Sequence, residues 1–137
     1  MLPNYKIYAD AAADIPPELR ERYHIHVLPI AVTLGDKTFQ SGLEITNDEF
    51  YAMMEKYDGI PVTSQITPYA FEELFQSELA AGTRDLIVLL INAKGSATYS
   101  NAVTTRERFY AENEGSAEKL RIHLFDGASY SGGYGYA

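Results

Sequence analysis

The chain has 137 residues, a length typical of one domain, and its 46% of hydrophobic residues can build a buried core. The formal net charge of −8 argues against a nucleic-acid partner and against an anionic membrane surface, because both require a basic face. Without cysteine there can be no disulfide and no thiolate chemistry. The sequence also shows no signal peptide and no transmembrane segment. These features predict a single cytoplasmic domain over residues 1–137.

The first quarter of the chain alternates strand and helix. Weak alternation over Tyr5–Ala9 predicts a first strand. Pro16–Tyr23 reads as a short helix with Asp14 as its N-cap, since proline is accepted in a first turn. The apolar, β-branched run His24–Val32 predicts a second strand, in which Pro29 indicates an edge or a bend.

A hairpin and a helix follow. Leu34–Lys37 contains Gly-Asp and predicts a tight turn between strands. Thr46 and Glu49 have the spacing of a capping box that opens a helix over Asp48–Tyr57. The next stretch, Val62–Thr67, is expected to be an extended loop.

The second half of the chain repeats the strand and helix alternation. Pro68–Ala80 is a predicted helix, and the apolar run Leu86–Ile91 has the length of a strand buried on both faces. A further helix runs to about Asn113, and a polar turn leads to a last strand over Arg121–Phe125. This order predicts an α/β fold, a three-layer sandwich with a mostly parallel sheet.

Two loops carry uncharged hydrogen-bond donors. A strand, a loop of small residues and a helix present backbone N–H groups and hydroxyls to an anion at the helix N-terminus. The candidate ligand-binding residues are Asn92, Ser96 and Thr98 in this loop and Thr63 and Ser64 in the earlier one. Such donors suit a carboxylate that lies beside apolar surface. The alternative is that these residues only cap helices.

Catalytic alternatives have weaker signals. The phosphate-loop motif GxxxxGK[ST] and the dinucleotide motif GxGxxG opening a helix are both absent, which argues against a nucleotide cofactor. A serine hydrolase or transferase would need Ser96 paired with His24, His26 or His123, although the sequence lacks G-x-S-x-G. For a metal ion the candidates are the pair His24-x-His26 and a cluster of three aspartates. Those aspartates are Asp10, Asp14 and Asp126.

Six stretches, taken in chain order, resemble motifs of the DegV family of bacterial fatty-acid-binding proteins. They are Asp10–Pro16 (D-S-[ST]-A-D-[LI]-P in the family), His26–Ile30 (V-V-P-L), Asp48–Tyr51 (an acidic and aromatic helix start), Val62–Phe71 (T-S-Q-P-S-P-x-x-F), Lys94–Ala102 (K-L-S-G-T-Y-x-S-A) and Asp126–Gly135 (D-S-x-x-x-S-x-G-x-G). Each motif is short, and their order along the whole chain is what makes the resemblance specific.

The resemblance implies a fatty acid held between two α/β domains, with its carboxylate on hydroxyls of the first. It also implies that this chain is the first domain alone, ending before a second one. Some members carry lipid for a separate fatty-acid kinase subunit, so a kinase subunit is an expected partner. The resemblance implies no enzyme activity and no cofactor, and a domain without a ligand that serves in assembly is the remaining alternative. Ala93 and Ala97 depart from the family pattern, where serine and glycine stand.

Overall fold

The computed structural model describes residues 4–11, 15–41, 47–57, 59–90 and 96–127. Strands and helices alternate along most of this length. The strands are β1 (Tyr5–Asp10), β2 (Ile25–Leu28), β3 (Ile30–Leu34), β4 (Lys37–Ser41), β5 (Val62–Ser64), β6 (Asp85–Leu90) and β7 (Arg121–Asp126). The helices are α1 (Pro17–Tyr23), α2 (Asn47–Lys56), α3 (Pro68–Ala81), α4 (Thr98–Glu112) and α5 (Ser116–Lys119).

The central sheet has the strand order β2-β1-β6-β7, and every pair of neighbours is parallel. This confirms the predicted α/β fold with a mostly parallel sheet. The apolar run of β6 lies in the middle of the sheet, where Leu86, Val88 and Leu90 are fully buried. Ile87 and Leu89, on the other face of β6, are only half-buried, so the prediction of a strand buried on both faces is correct for one face only.

The two faces of this sheet have different covers. On one face the main core joins the sheet to α3 and α4 through three aromatic side chains, Phe71, Phe75 and Phe109, none of which is exposed. On the other face Ala9 of β1 packs with Ile15, which lies just before α1, and with two neighbouring strand residues. Helices on both sides of one sheet form the three predicted layers.

The chain leaves the central pair of strands in opposite directions. From β1 it passes through α1 to β2 on one side, and from β6 it passes through α4 to β7 on the other. The elements that follow β1 and β6 therefore lie on opposite sides of these two adjacent strands. In open α/β sheets such a switch point is where ligands bind.

A second, small sheet with the order β4-β3-β5 corrects two predictions. The run His24–Val32 is not one strand: Pro29 separates β2 from β3, and the two strands belong to different sheets. Val62–Ser64 is not a loop, because it pairs antiparallel with β3. The hairpin of β3 and β4 is confirmed, and its first turn residue, Gly35, has a φ of 65°.

Some helix ends also differ from the predictions. Helix α1 begins at Pro17 with Pro16 at its N-cap and no side-chain cap, whereas the predicted cap, Asp14, lies outside the described residues. The predicted capping residue Thr46 lies outside them too. The expected polar turn before β7 contains a short helix, α5, because Gly115 in a left-handed conformation starts a further turn.

Candidate anion-binding site

The segment after β5 contacts the first turn of α4 at one residue, Ile66. Its backbone N–H donates to Thr98 Oγ1 over 3.2 Å, and its carbonyl accepts from Asn101 Nδ2 over 2.9 Å. Both backbone polar groups of this residue are thus held by the first turn of α4. We call these two hydrogen bonds the Ile66 clamp. It fixes the segment that follows β5 against the N-terminus of α4.

The sequence of α4 explains why Thr98 occupies this position. Thr98 begins a stripe at helical spacing that continues with Ala102, Thr105 and Phe109, and all four are buried. A threonine on such a stripe needs a partner for its hydroxyl, because an unpaired buried polar group is costly. Ile66 provides that partner and is itself only 6% exposed.

Ser96 lies beside Thr98 and is half-buried. Its Oγ accepts the backbone N–H of Thr98 over 3.2 Å and donates to Thr98 Oγ1 over 3.1 Å. The serine is therefore held by two contacts to one residue at the start of α4. Its hydroxyl lies near the helix N-terminus and remains partly accessible.

The other predicted site residues divide into two groups. Thr63 and Ser64 are exposed on β5, where they pair with Val32 and Ala31 of β3. They lie two or three positions before Ile66 in the sequence, and no hydrogen bond between them and α4 is found among the described residues. Asn92 lies outside the described residues.

Within the described residues the N-terminus of α4 is only partly capped, since Ser96 accepts the backbone N–H of Thr98. Its N-cap, Ala97, provides no side-chain hydrogen bond, and the first turn contains no acidic residue. The unpaired N–H groups and the positive end of the helix dipole at such a terminus favour a negative group. Two carboxylates work against this field, since Asp10 and Asp126 end the strands on either side of β6.

None of the three histidines is hydrogen-bonded to Ser96. His26 stacks on Tyr8 with ring centroids 4.9 Å apart, and His24 precedes β2 at the amino end of the sheet. His123 pairs with Ile87 and contacts Asp85, which is the first residue of β6. Three residues of strand, about 10 Å, separate that level from the carboxyl edge. The hydroxyl of Ser96 therefore has no imidazole base in this arrangement.

The described residues also contain no cluster of side chains suited to a metal ion. Asp10 and Asp126 lie on strands two positions apart, roughly 10 Å from each other at the backbone. The third candidate, Asp14, lies outside the described residues. Across the described ranges no group of three histidine or acidic side chains could hold an ion. Nor does any helix in them have the length and apolar character needed to cross a bilayer.

Asn101 and Ile66 contribute to the site but were not predicted to do so. The signal that could have found Asn101 is its spacing of three residues from Thr98, which puts both polar side chains on one side of α4. Nothing in the sequence indicates that their common partner is the backbone of residue 66. That contact spans 35 positions and depends on the packing of α3 against α4.

Residues 4–137 match the model of a family described as "Uncharacterised protein, DegV family". A DegV domain-containing protein of Caldanaerobacter subterraneus is 30% identical over 129 residues, which cover 94% of this chain and 42% of that protein. Protein DegV of Bacillus subtilis is 29% identical over 123 residues, covering 90% of this chain and 41% of the relative. The chain thus spans about two fifths of the length of these relatives.

Solved structures of the family have the same fold. One is a DegV family protein from Thermus thermophilus, whose structure is described as showing fatty acid binding. It superposes on this chain with a TM-score of 0.75 at 25% identity, and the match covers 96% of this chain and 44% of the other. A Thermotoga maritima protein described as revealing fatty acid binding function gives 0.76 at 25% identity, over 93% and 44%. DegV from Bacillus subtilis gives 0.81 at 24% identity, over 98% and 45%. The chain belongs to the DegV family.

Proposed function

We propose that this chain binds a long-chain fatty acid and holds its carboxylate at the N-terminus of α4. Ser96 and the β5 residues Thr63 and Ser64 donate to the carboxylate, and Asn92 and Thr98 complete the set of polar residues around it.

The observation that carries the proposal is the Ile66 clamp. It joins the segment after β5 to the first turn of α4, more than thirty residues later in the sequence, and this supports a shared binding site for the hydroxyls of Thr63, Ser64 and Ser96. Uncharged donors at a helix N-terminus suit a carboxylate, because their hydrogen bonds stabilise its negative charge without introducing a second buried charge. The switch point between β1 and β6 lies at the same edge of the sheet.

The relatives support the same ligand class. Family members with 25% identity to this chain are described as fatty-acid-binding proteins. Since the chain spans about two fifths of its relatives, we propose that a second domain encloses much of the alkyl chain. We further propose that the chain has no chemistry of its own and presents the lipid to a separate kinase subunit.

The first test is uptake of palmitate by the 137-residue chain, measured by native mass spectrometry and titration calorimetry. We expect one palmitate per chain, and binding of hexadecanol at least about tenfold weaker, because a neutral head group gains less from charge-assisted hydrogen bonds. Equal affinity for the alcohol, or no uptake of either ligand, would contradict the proposal.

Replacement of Ser96 tests the proposed contact. Ser96→Ala should weaken palmitate binding by at least about tenfold, the effect of losing a hydrogen bond to a charged group. Ser77→Ala is the matched control, since Ser77 is exposed on α3 away from the site and should leave the affinity unchanged. A serine-reactive phosphonate that labels Ser96 covalently would instead favour a hydrolase.

A further inference from the structure

A groove runs between α1 and β2, the strand at one edge of the central sheet. We propose that this groove binds an extended acidic segment of a partner protein. The segment adds to the sheet as a further strand beside β2 and places a carboxylate against Arg20. This inference goes beyond lipid binding and does not depend on it, because it uses other residues and another part of the sheet.

The groove has a volume of about 470 Å³. On one side its lining residues lie at helical spacing along α1 and its C-cap: Pro17, Arg20, Glu21 and His24. On the other side it is lined by residues 25–27, three in a row along β2. The helix and the strand thus form its two walls.

The consecutive residues of β2 show where the groove runs. Side chains of a strand alternate between its two faces. Ile25 packs with Ala9 on the face that α1 covers, whereas His26 stacks on Tyr8, which packs against the main core on the other face. A groove that contacts residues 25, 26 and 27 must therefore run along the backbone edge of the strand.

That edge has no neighbour in the part of the chain that the structure describes, since β2 pairs only with β1. In a parallel pair, backbone groups point alternately towards the neighbouring strand and away from it. The outward N–H and C=O groups of an edge strand can accept an added strand. β2 has 4 residues and is followed by Pro29, which has no N–H, so the paired part of the added segment is short.

Arg20 determines the charge of the segment. Its side chain is half-buried, and its Nε is buried without a hydrogen-bond partner among the described residues. The ion pairs found among those residues do not include it either. A buried donor without an acceptor is costly. A carboxylate would supply the acceptor, because its two oxygens match the planar donors of a guanidinium.

The two histidines of the groove support the same choice of partner. His24 and His26 are exposed, and each imidazole has at least one N–H to donate. Glu21 is the single carboxylate among the lining residues. A second copy of this chain is a poorer occupant, because symmetric pairing of two β2 edges would bring equal charges together.

The backbone of His24 is a separate observation. Its φ of 54° is the one positive φ outside glycine among the described residues. Glycine would adopt this conformation without strain. Such strain is concentrated at functional sites, where the side chain is needed. A role for the imidazole in the groove accounts for histidine at this position.

The test uses the full 137-residue chain and random octapeptides displayed on phage and selected on it. The most enriched octapeptide is synthesised in its original form and with its acidic residue replaced by asparagine or by lysine. Two further forms are N-methylated at alternate residues, one at odd and one at even positions. Arg22→Gln, exposed on α1 outside the groove, is the matched control for Arg20→Gln. Affinity is measured by fluorescence anisotropy, and hydrogen exchange of the β2 amides by NMR.

We expect the selected octapeptides to share an acidic residue. Arg20→Gln should weaken binding of the acidic form at least about tenfold, and Arg22→Gln less than about twofold. Arg20→Glu should prefer the lysine form, which would also show that a variant at this position folds. His24→Gly should weaken binding about fivefold without loss of stability.

The exchange data and the N-methylated forms test the strand pairing. Binding should slow exchange of alternate amides of β2 at least about tenfold, because only those amides point outwards. Of the two N-methylated octapeptides, one should bind and the other should not, since an added strand pairs through one of its edges.

Several results would overturn the inference. One is the absence of enriched octapeptides, or enrichment without a shared acidic residue. Another is an equal effect of Arg20→Gln and Arg22→Gln. Binding that leaves the β2 amides unprotected, or that tolerates both N-methylated forms, would exclude strand addition. Self-association of the chain that the octapeptide reverses would assign the groove to a second copy.

Discussion

Glu78 of α3 is buried, and three side chains donate to its carboxylate. Tyr8 contacts Oε1 over 2.9 Å, Thr83 contacts Oε2 over 2.5 Å, and Lys6 forms an ion pair with Oε2 over 3.2 Å. Burial by itself would raise the pKa of Glu78, but these hydrogen bonds and the Lys6 charge outweigh it and lower the pKa below its ordinary value. The cluster joins the last turns of α3 to β1.

The lowered pKa predicts how stability changes with pH. A group with a lower pKa in the folded state stabilises the protein above its unfolded pKa, and this contribution disappears as the pH falls through the folded pKa. Glu78→Gln should therefore lower the free energy of unfolding by about 1–3 kcal/mol at pH 7. In urea titrations the difference in the free energy of unfolding between Glu78→Gln and the wild type should shrink as the pH falls below 4.5.

Glu107→Gln serves as the control for this effect, because Glu107 is exposed on α4. It should change stability little at any pH. A deficit of Glu78→Gln that persists undiminished at pH 3 would mean that packing, and not charge, is what the carboxylate contributes.

His24 has a left-handed backbone at the C-cap of α1, with φ of 54° and ψ of 45°. This conformation is unfavourable for any residue with a Cβ and costs glycine nothing. His24→Gly should raise the free energy of unfolding by about 0.5–1 kcal/mol, the strain relieved less the greater entropy of an unfolded glycine. Tyr23→Gly, one position earlier and inside the helix, should lower it in the same denaturation experiment.

At the scale of elements, α3 depends on its N-cap, Thr67. Thr67 adopts an extended backbone and accepts the N–H of Ala70, while Pro68 follows in the first turn. Thr67→Ala should lower the free energy of unfolding by about 1 kcal/mol, and Thr67→Asp should retain most of the stability, since aspartate also caps. If urea titration shows equal losses for both variants, the contribution of Thr67 is not capping.

The elements that the sequence predicts well are those with local signals. The start of α3 follows from Thr67 and Pro68, and β6 follows from its unbroken apolar run. β5 was missed because three exposed residues have no strand pattern of their own and become a strand only by pairing with β3. Pro29 predicted an edge or a bend in the strand. A proline alone does not distinguish a bend within one sheet from a chain that passes from one sheet to another.

At the scale of the whole molecule, the order of strands and helices was enough to predict the α/β sheet. The candidate site was predicted as two separate sets of donors, and its assembly was not. Thr98 and Asn101 contact the backbone of Ile66, more than thirty positions earlier in the sequence. A contact at this distance leaves no periodic pattern in the sequence from which it could be predicted. The hydroxyl types predict a carboxylate ligand, whereas the partner of each hydroxyl depends on the fold.

Ligand binding should stabilise the whole fold. A ligand that binds only the folded chain raises its free energy of unfolding by about 2.7 kcal/mol when free ligand is at 100 times Kd. We expect palmitate to raise the melting temperature in a concentration-dependent way and hexadecanol to do so much less. In Ser96→Ala the palmitate curve should shift to higher concentrations, and a curve that does not shift would place the carboxylate elsewhere.

The position of β1 in the middle of the central sheet has a consequence for synthesis. Tyr5 pairs with Asp85, 80 positions later, so one edge of β1 stays unpaired until β6 has emerged from the ribosome. At 5–20 residues per second this takes about 4–16 s. During that time β1 and β2 form a two-stranded unit with an open edge, which is a template for pairing with other chains. The nascent chain is therefore most exposed to aggregation until β6 has emerged from the ribosome, and a chaperone that protects it would act within this interval.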